Sequence, residues 1–270
     1  MDGPAWLNLT GKIVLITGAS AGIGESAALE FARQGCHLML CGRDLQRLED
    51  VREKCLKEGE NITVQTSSGD ITEADVQRKI VDDTLTAFER IDILVNNAGM
   101  NIVRDPITTG RDDYDQIMKT NLESVFFLTQ LVIPHLIKSK GNIVNVSSIV
   151  GDKPIPKAVV YSMSKAALDS YTMSLAITLA PHGVRVNSVN PGSVVTMLYR
   201  RGEEAYTDDQ YAQFEKAQSS PALHPLGRMV LTSEVADSIV FLASQRASFL
   251  TGQMIYVDGG RHCVAPQPQL

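Results

Sequence analysis

The stretch Thr17-Gly18-Ala19-Ser20-Ala21-Gly22-Ile23-Gly24 decides the fold, because it joins an apolar run to a segment with helical spacing. Its glycines follow a G-x-x-x-G-x-G pattern. Glycine lets the backbone turn tightly and approach a pyrophosphate, whose charge a helix N-terminus stabilises. The pattern therefore predicts a dinucleotide-binding turn. Its predicted cofactor-binding residues are Gly18, Ser20, Gly22, Ile23 and Gly24.

Short apolar runs recur along the rest of the chain, and most are apolar on both faces, as buried parallel strands are. They span residues 13–16, 38–41, 62–64, 91–95, 143–146, 184–189 and 254–257. Segments with helical spacing lie between them, first Ile23, Ala27 and Phe31, then Leu45, Leu48, Val51 and Leu56. The alternation predicts an α/β fold, a single Rossmann-type doubly wound parallel sheet of about seven strands with helices on both faces. Ligands should bind at the carboxyl ends of these strands.

The 270 residues contain no repeat and no linker that would divide them, so we expect a single dinucleotide-binding and catalytic domain over 1–270. Within 199–225, aromatic residues alternate with charged and polar ones before two prolines, which predicts a substrate flap. The last residues, 262–270, contain two prolines and two glutamines and are predicted to form a loose tail.

Composition excludes several classes of protein. The net charge is −6 and no block of lysine or arginine occurs, which argues against nucleic acid or an anionic membrane as a partner. No stretch approaches the roughly 20 apolar residues of a membrane span, and the N-terminus lacks the features of a signal peptide. Four irregularly spaced cysteines form neither a disulfide framework nor a paired metal motif. We therefore expect a cytoplasmic protein without a metal site.

Residues 18–22 also match G-x-S-x-G, the nucleophile elbow of α/β hydrolases, with Ser20 as the nucleophile. That fold needs strands and an oxyanion loop upstream of the elbow, yet only nineteen residues precede Ser20. The hydrolase interpretation is therefore disfavoured.

A second motif lies in the middle of the chain. Tyr161 follows Ser148 by thirteen residues, and Lys165 follows Tyr161 by four, which places both on one helix face. A phenol with a pKa near 10 is a poor acid or base at neutral pH, but a nearby ammonium lowers that pKa. The serine hydroxyl can hold a substrate oxygen while the tyrosine exchanges its proton. This is acid-base chemistry suited to hydride transfer from a nicotinamide.

These motifs together resemble the short-chain dehydrogenase/reductase family, from Leu9 to about Arg261. The resemblance rests on the glycine turn, on Asn96-Asn97-Ala98-Gly99, on the serine, tyrosine and lysine above, and on Pro191-Gly192. It implies an oxidoreductase that forms a homotetramer. The catalytic residues that it implies are Asn121, Ser148, Tyr161 and Lys165. Asn121 would hold a water in the proton relay.

Each of these residues has a simpler interpretation. Ser147 could replace Ser148 as the reacting serine, although the thirteen-residue interval favours Ser148. Asn121 could be a hydrogen-bonded helix asparagine, and Lys165 a solvated lysine. The five histidines are scattered and are interpreted as structural or surface residues.

The end of the second strand predicts the cofactor. A carboxylate there would bind the ribose hydroxyls of NAD, whereas a cation would bind the 2′-phosphate of NADP. Gly42 stands where relatives that prefer NAD carry an aspartate, and Arg43 can bind phosphate through two hydrogen bonds. NADP(H) is therefore predicted, with NAD(H) as the alternative. Asp44 could reach a ribose or cap the next helix, and Ala21 supplies no second cation.

Asp70 matches the family's adenine-contacting aspartate, and its alternative role is to cap the chain at Thr72. Thr196 could reach the carboxamide of the nicotinamide. The remaining predicted cofactor-binding residues are Asn97, Ala98, Gly99, Tyr161, Lys165, Pro191, Gly192, Val194 and Thr196.

The segments able to reach Tyr161 are mostly apolar, which predicts a small hydrophobic ketone or secondary alcohol as substrate, as in carbonyl reductases and hydroxysteroid dehydrogenases. The predicted pocket residues are Met100, Val150, Ile155, Met197, Leu198 and Tyr199. The main competitor is a 3-oxoacyl thioester, whose acidic carrier protein could meet Arg200 and Arg201, although the net charge of −6 opposes that attraction. The alternative from another class is a non-catalytic dinucleotide sensor.

Overall fold

The computed structural model describes residues 7–196 and 206–264, and these residues form a seven-stranded sheet in which each strand runs parallel to its neighbours. The strands are β1 (Ile13–Thr17), β2 (His37–Gly42), β3 (Val64–Ser68), β4 (Ile93–Asn96), β5 (Asn142–Val146), β6 (Arg185–Pro191) and β7 (Met254–Val257). Their order across the sheet is β3-β2-β1-β4-β5-β6-β7. Strand order therefore reverses between β1 and β4, where a ligand crevice opens.

The α-helices of the described residues connect the strands. They are α1 (Gly22–Arg33), α2 (Leu45–Glu58), α3 (Ala74–Phe88), α4 (Arg111–Met118), α5 (Ser124–Ser139), α6 (Val159–Leu179), α7 (Asp208–Gln218) and α8 (Thr232–Ala243). A π-helical turn, Lys119–Glu123, joins α4 to α5. None of the described helices combines the length and the apolar character that crossing a membrane requires.

Two apolar cores cover the two faces of the sheet, because successive side chains of a strand point to opposite sides. Val14 and Ile16 of β1 belong to the core formed with α1, α2 and α8. Leu15, between them, belongs to the core formed with α3, α5 and α6. The predicted doubly wound α/β fold is confirmed.

Two predictions about strands and helices differ from the structure. The third strand was expected at 62–64 and lies at Val64–Ser68, because an edge strand with a solvent-facing side need not be apolar. In α2, Leu45 and Leu56 were expected on the buried stripe but are 51% and 39% exposed. Leu48, Val51 and Cys55 form that stripe instead.

The predicted flap and tail are described only in part, since 199–205 and 265–270 lie outside the described residues. The flap region contains α7, whose N-terminus Thr207 and Gln210 close with a capping box. At the start of the predicted loose tail, the ring of His262 stacks on Tyr256 and its Nδ1 lies 2.8 Å from Asp258 Oδ2. The first tail residues are thus anchored, which differs from the prediction.

Candidate active site

A pocket of about 630 Å³ lies where the carboxyl ends of the central strands meet. Most of the predicted site residues line it: Gly18, Ser20, Ile23, Arg43, Asp70, Asn97, Ala98, Gly99, Met100, Ser148, Val150, Ile155, Tyr161, Lys165, Pro191, Gly192, Val194 and Thr196. Gly22, Gly24 and Asn121 are absent from this lining. Met197, Leu198 and Tyr199 lie outside the described residues, as do Arg200 and Arg201.

The turn after β1 requires its glycines. Gly18 and Gly22 have φ values of 64° and 63°, in the left-handed region that favours glycine. A Cβ on Gly24 would lie 2.3 Å from the Gly18 carbonyl oxygen. The turn therefore packs backbone against backbone, and it leads into the N-terminus of α1, where Ala21 has no side-chain atom able to cap the helix. The free backbone N–H groups of such an uncapped helix N-terminus can bind an anion.

The segment after β4 supports this turn. The backbone N–H groups of Asn97 and Ala98 both donate to Thr17 Oγ1, at 3.0 Å each. The Asn97 side chain donates to the carbonyl oxygens of Thr17 and Gly18, at 2.9 and 3.1 Å. Asn97 thus lines the pocket while its amide holds the glycine turn in place.

Arg43 lines the pocket beyond the end of β2, next to Gly42. Asp44, the residue that could have bound a ribose, caps α2 instead: Arg47 N donates to Asp44 Oδ1 at 3.1 Å, and the Arg47 guanidinium lies 3.2 Å from Asp44 Oδ2. With Asp44 engaged in the helix, Arg43 is the group at the end of β2 whose charge is available to a ligand.

Asp70 both lines the pocket and supports the local chain. The backbone N–H and the hydroxyl of Thr72 each donate to Asp70 Oδ1 at 2.9 Å. Burial alone would raise the pKa of Asp70, but these hydrogen bonds and the positive charges of Arg43 and Lys119 lower it. Asp70 is therefore a stable anionic acceptor, and both roles considered from the sequence are compatible with its position.

Lys165 and Tyr161 lie together at the other end of the pocket. The Lys165 Nζ atom is 5.7 Å from the centroid of the Tyr161 ring and donates to the Val146 carbonyl oxygen at 2.8 Å. Lys165 is only 4% exposed, which contradicts the solvated-lysine alternative. Burial lowers the pKa of Lys165 to about 8, while the charge of Asp169 acts in the opposite direction. An ammonium this close favours the phenolate form of a tyrosine.

The two candidate serines differ in their contacts. Ser147 directs its hydroxyl to α6, where it donates to the Lys165 carbonyl oxygen at 3.3 Å. Ser148 precedes a 3₁₀ turn, and its Oγ accepts a hydrogen bond from Val150 N at 3.3 Å, which leaves the hydroxyl proton for another acceptor. The geometry therefore favours Ser148 as the serine that meets a substrate oxygen.

Asn121 lies in the π-helical turn between α4 and α5 and is 1% exposed. Its Oδ1 accepts from Met100 N at 2.8 Å, and its Nδ2 donates to Met100 O at 2.8 Å and to Ser164 Oγ at 3.1 Å. Ser164 in turn donates to the Tyr161 carbonyl oxygen at 2.7 Å. The Asn121 side chain thus joins the loop after β4 to the helix that carries Tyr161. π-Helical turns are frequent at functional sites.

The lining also includes residues that were not predicted as site residues, among them three late in the chain: Phe214, Gln218 and Arg261. Phe214 and Gln218 lie on α7, within the segment 199–225 that the sequence predicted as a substrate flap, although neither was predicted as a pocket residue. Arg261 follows β7 by four residues, so the rule that sites form at the carboxyl ends of parallel strands could have identified it. Its guanidinium donates to Ser193 Oγ at 2.7 Å. The substrate end of the pocket is therefore less uniformly apolar than the sequence predicted.

Known proteins are similar to this chain over most of its length. A family model described as enoyl-(acyl carrier protein) reductase matches residues 18–262. The 3-oxoacyl-[acyl-carrier-protein] reductase FabG of Thermotoga maritima is 36% identical over 259 residues, which cover 94% of this chain and 99% of that protein.

Two solved structures superpose closely. A short-chain dehydrogenase/reductase of unknown function from Caenorhabditis elegans, solved with cofactor, has a TM-score of 0.88 and 39% identity, covering 95% of this chain and 97% of that one. L-Sorbose reductase from Gluconobacter frateurii, complexed with NADPH and L-sorbose, has a TM-score of 0.87 and 26% identity, covering 94% and 97%.

Proposed function

The chain belongs to the short-chain dehydrogenase/reductase family and is an oxidoreductase, and we propose that it transfers a hydride between NADP(H) and a hydrophobic ketone or secondary alcohol. The observation that carries the proposal is the buried ammonium of Lys165 beside the Tyr161 ring, in a pocket that begins at the glycine turn.

The residues of the pocket fit a nicotinamide dinucleotide. A Cβ on Gly18 would lie 2.9 Å from Ala98 Cα, so the turn is as tight as a pyrophosphate cradle must be. Gly18, Ser20 and Ile23 would hold the pyrophosphate, Asp70 the adenine, and Thr196 the carboxamide. When bound, the cofactor supplies or accepts the hydride.

The chain's own residues handle the proton. In reduction, Tyr161 gives its hydroxyl proton to the substrate oxygen while Ser148 donates a hydrogen bond to the same oxygen. Lys165 keeps a positive charge close to the phenol and so lowers its pKa. Asn121 holds the loop after β4 against α6, the helix that carries Tyr161. In oxidation, the same groups work in reverse.

We propose NADP(H) as the preferred cofactor because Arg43 offers a cation at the end of β2, whereas the carboxylate of Asp44 is held by Arg47. A guanidinium forms charge-assisted, bidentate hydrogen bonds with phosphate. The NADPH complex of L-sorbose reductase, a structural relative, supports this preference.

The substrate we propose has an apolar body and one polar end. Met100, Val150, Ile155 and Phe214 offer apolar contacts, while Gln218 and Arg261 offer polar ones. The competing substrates within the family are 3-oxoacyl thioesters, suggested by the relative from Thermotoga maritima, and sugars, suggested by L-sorbose reductase and by the polar lining.

Nicotinamide absorbance tests the proposal with a panel of hydrophobic ketones, steroids, quinones, 3-oxoacyl thioesters and ketoses, each with NADPH and NADH. We expect free hydrophobic ketones with NADPH to give the highest kcat/KM. A preference for acyl thioesters or ketoses would reassign the substrate. Tight NADPH binding without turnover of any compound would favour the dinucleotide sensor.

We also propose that the enzyme is a cytoplasmic homotetramer. Apolar side chains of α5 and α6 face outward, with Phe127 47%, Met173 42% and Ile177 78% exposed. An apolar face of this kind suits a second copy of the chain. The four cysteines are free thiols, which suits a reducing compartment.

A further inference from the structure

Helix α6 carries a buried acid one turn beyond the predicted catalytic lysine. Tyr161, Lys165 and Asp169 follow one another at intervals of four residues, so they form one polar stripe along the helix. Asp169 is the acidic residue of this helix and is 9% exposed. Burying a charged carboxyl group costs free energy unless hydrogen bonds or a nearby positive charge compensate for the lost water. The partners of Asp169 therefore indicate its role.

Donors from β6 and from Ser147, the residue that follows β5, surround the Asp169 carboxyl group. Asn190 Nδ2 lies 3.2 Å from Asp169 Oδ1 and 3.0 Å from Oδ2. Ser188 Oγ lies 3.5 Å from Oδ1, and the Ser147 hydroxyl is also a hydrogen-bond partner. Burial raises the pKa of Asp169, while these hydrogen bonds and the charge of Lys165 oppose that rise.

The same partners touch the backbone of the predicted catalytic residues. Asn190 Nδ2 donates to the Ser148 carbonyl oxygen at 3.2 Å, and Ser147 Oγ donates to the Lys165 carbonyl oxygen at 3.3 Å. A Cβ on Gly151 would lie 2.7 Å from Asp169 Oδ2, so the turn after Ser148 packs directly against the carboxyl group. One carboxyl group thus connects the serine-bearing turn, β6 and the tyrosine-bearing helix.

The Asp169 carboxylate also supplies a negative charge near Lys165, whose hydrogen-bond acceptor is uncharged. Lys165 is buried, and the acceptor of its Nζ is the neutral carbonyl oxygen of Val146. The charge of Asp169 raises the pKa of Lys165 against the effect of burial. A buried ammonium needs such a countercharge to stay protonated at neutral pH.

We propose that Asp169 is a positioning residue for the proposed reaction: its carboxylate is the buried countercharge that keeps Lys165 protonated, and its hydrogen bonds to Asn190 and Ser147 fix the turn that carries Ser148. The inference rests on the proposed function.

Other titratable groups lie within electrostatic reach. Asp152 follows the turn after Ser148, is paired with Lys153 at 3.6 Å, and has a side chain that is 53% exposed. Tyr256 on β7 has its pKa raised by burial and by the charges of Asp152, Asp169 and Asp258. Because Asp152 is solvated, its charge is screened far more than that of Asp169.

The pH profile of kcat/KM for ketone reduction distinguishes electrostatic positioning from a merely structural role. Asp169→Asn keeps the shape and removes the charge, so the alkaline limb should move down by about one pH unit with little change in KM. Asp152→Asn is the matched control and should leave the limb in place. An unmoved limb in Asp169→Asn, or equal shifts in both variants, would overturn the proposal.

Asn190→Ala tests the proposal without altering the carboxyl group. It removes the donor that stabilises the charged Asp169 carboxylate. The alkaline limb should therefore move to lower pH, but by less than in Asp169→Asn. A normal profile in Asn190→Ala would contradict the role given to that hydrogen bond.

A thermal double-mutant cycle separates this inference from the proposed function, because it needs no substrate. Asp169→Asn should lower Tm by several degrees when Lys165 is present and by little or nothing in the Lys165→Met background. Equal changes in Tm with and without Lys165 would refute the role of Asp169 as its countercharge, even if the protein reduces ketones. Strong coupling in a protein that reduces no carbonyl compound would refute the proposed function alone.

Discussion

The ammonium of Lys165 lies 5.7 Å from the centre of the Tyr161 ring, and both side chains line one pocket. The hydrogen-bond acceptor of the Lys165 Nζ is the neutral carbonyl oxygen of Val146. The positive charge of Lys165 acts on the phenol, while the nearby Asp169 carboxylate supplies the countercharge that a buried ammonium needs. We propose that this relationship makes Tyr161 a usable acid at neutral pH.

Arg43 should determine the choice of cofactor. Arg43→Ala removes a charge-assisted contact to the 2′-phosphate and should weaken NADPH binding by about 10- to 150-fold. NADH has no such phosphate, so its affinity should barely change. Calorimetry with both cofactors measures the difference.

The matched control for this change is Arg111→Ala, which removes an exposed arginine that is paired with Asp115 and does not line the pocket. It should leave NADPH affinity almost unchanged. Equal weakening of both cofactors by Arg43→Ala, or a wild type that prefers NADH, would refute the assignment.

Gly24 should tolerate no side chain. A Cβ there would lie 2.3 Å from the Gly18 carbonyl oxygen and 2.5 Å from Asn97 Nδ2. Gly24→Ala should therefore destabilise the protein by about 2 kcal/mol and weaken cofactor binding, because the turn must open. Urea denaturation measures the first effect. Gly110→Ala, where nothing lies within 4 Å of the added Cβ, is the control: alanine at the N-cap of α4 should cost no more than about 1 kcal/mol and should leave cofactor binding unchanged.

The rate of ketone reduction should depend on the charge of Lys165. Burial lowers the pKa of Lys165 to about 8, so the lysine is charged below that pH and becomes neutral above it. As its charge is lost, the pKa of Tyr161 rises and the phenol becomes a weaker acid. kcat/KM should thus fall as pH rises through about 8. A rate that is constant up to pH 10 or so would contradict this account.

The outward apolar face of α6 should hold the oligomer together. Ile177→Glu places a charge on this face and should convert a tetramer into smaller species, because burying an unpaired carboxylate in an interface is costly. Light scattering after gel filtration gives the mass. Ile107→Glu, at a side chain that is 92% exposed, is the control. An unchanged mass in Ile177→Glu would show that another face forms the contact.

Sequence patterns predicted the features that depend on nearby residues. The glycine turn follows from the conformations that Gly18 and Gly22 require, and the Tyr161–Lys165 pair follows from the helical repeat. The parallel sheet follows from the alternation of apolar runs with helical segments, and its order β3-β2-β1-β4-β5-β6-β7 is typical of dinucleotide-binding folds.

Features that depend on distant residues could not be predicted in the same way. Asp169 and Asn190 are twenty-one residues apart, and only the packing of α6 on β6 brings them together. Arg261 and Ser193 are separated by sixty-eight residues. The edge strand β3 was misplaced because its solvent-facing side contains polar residues such as Gln65.

The most direct test of the central claim is the turnover number of Tyr161→Phe on the best carbonyl substrate, with NADPH affinity measured in parallel. Tyr171→Phe, on the same helix, is the control and should keep wild-type turnover, because burial raises the pKa of Tyr171 to about 12 and its hydroxyl lies 3.5 Å from the Phe126 carbonyl oxygen. We predict that Tyr161→Phe lowers kcat by at least ~100-fold and leaves NADPH affinity intact. Wild-type turnover in Tyr161→Phe would contradict the proposed mechanism.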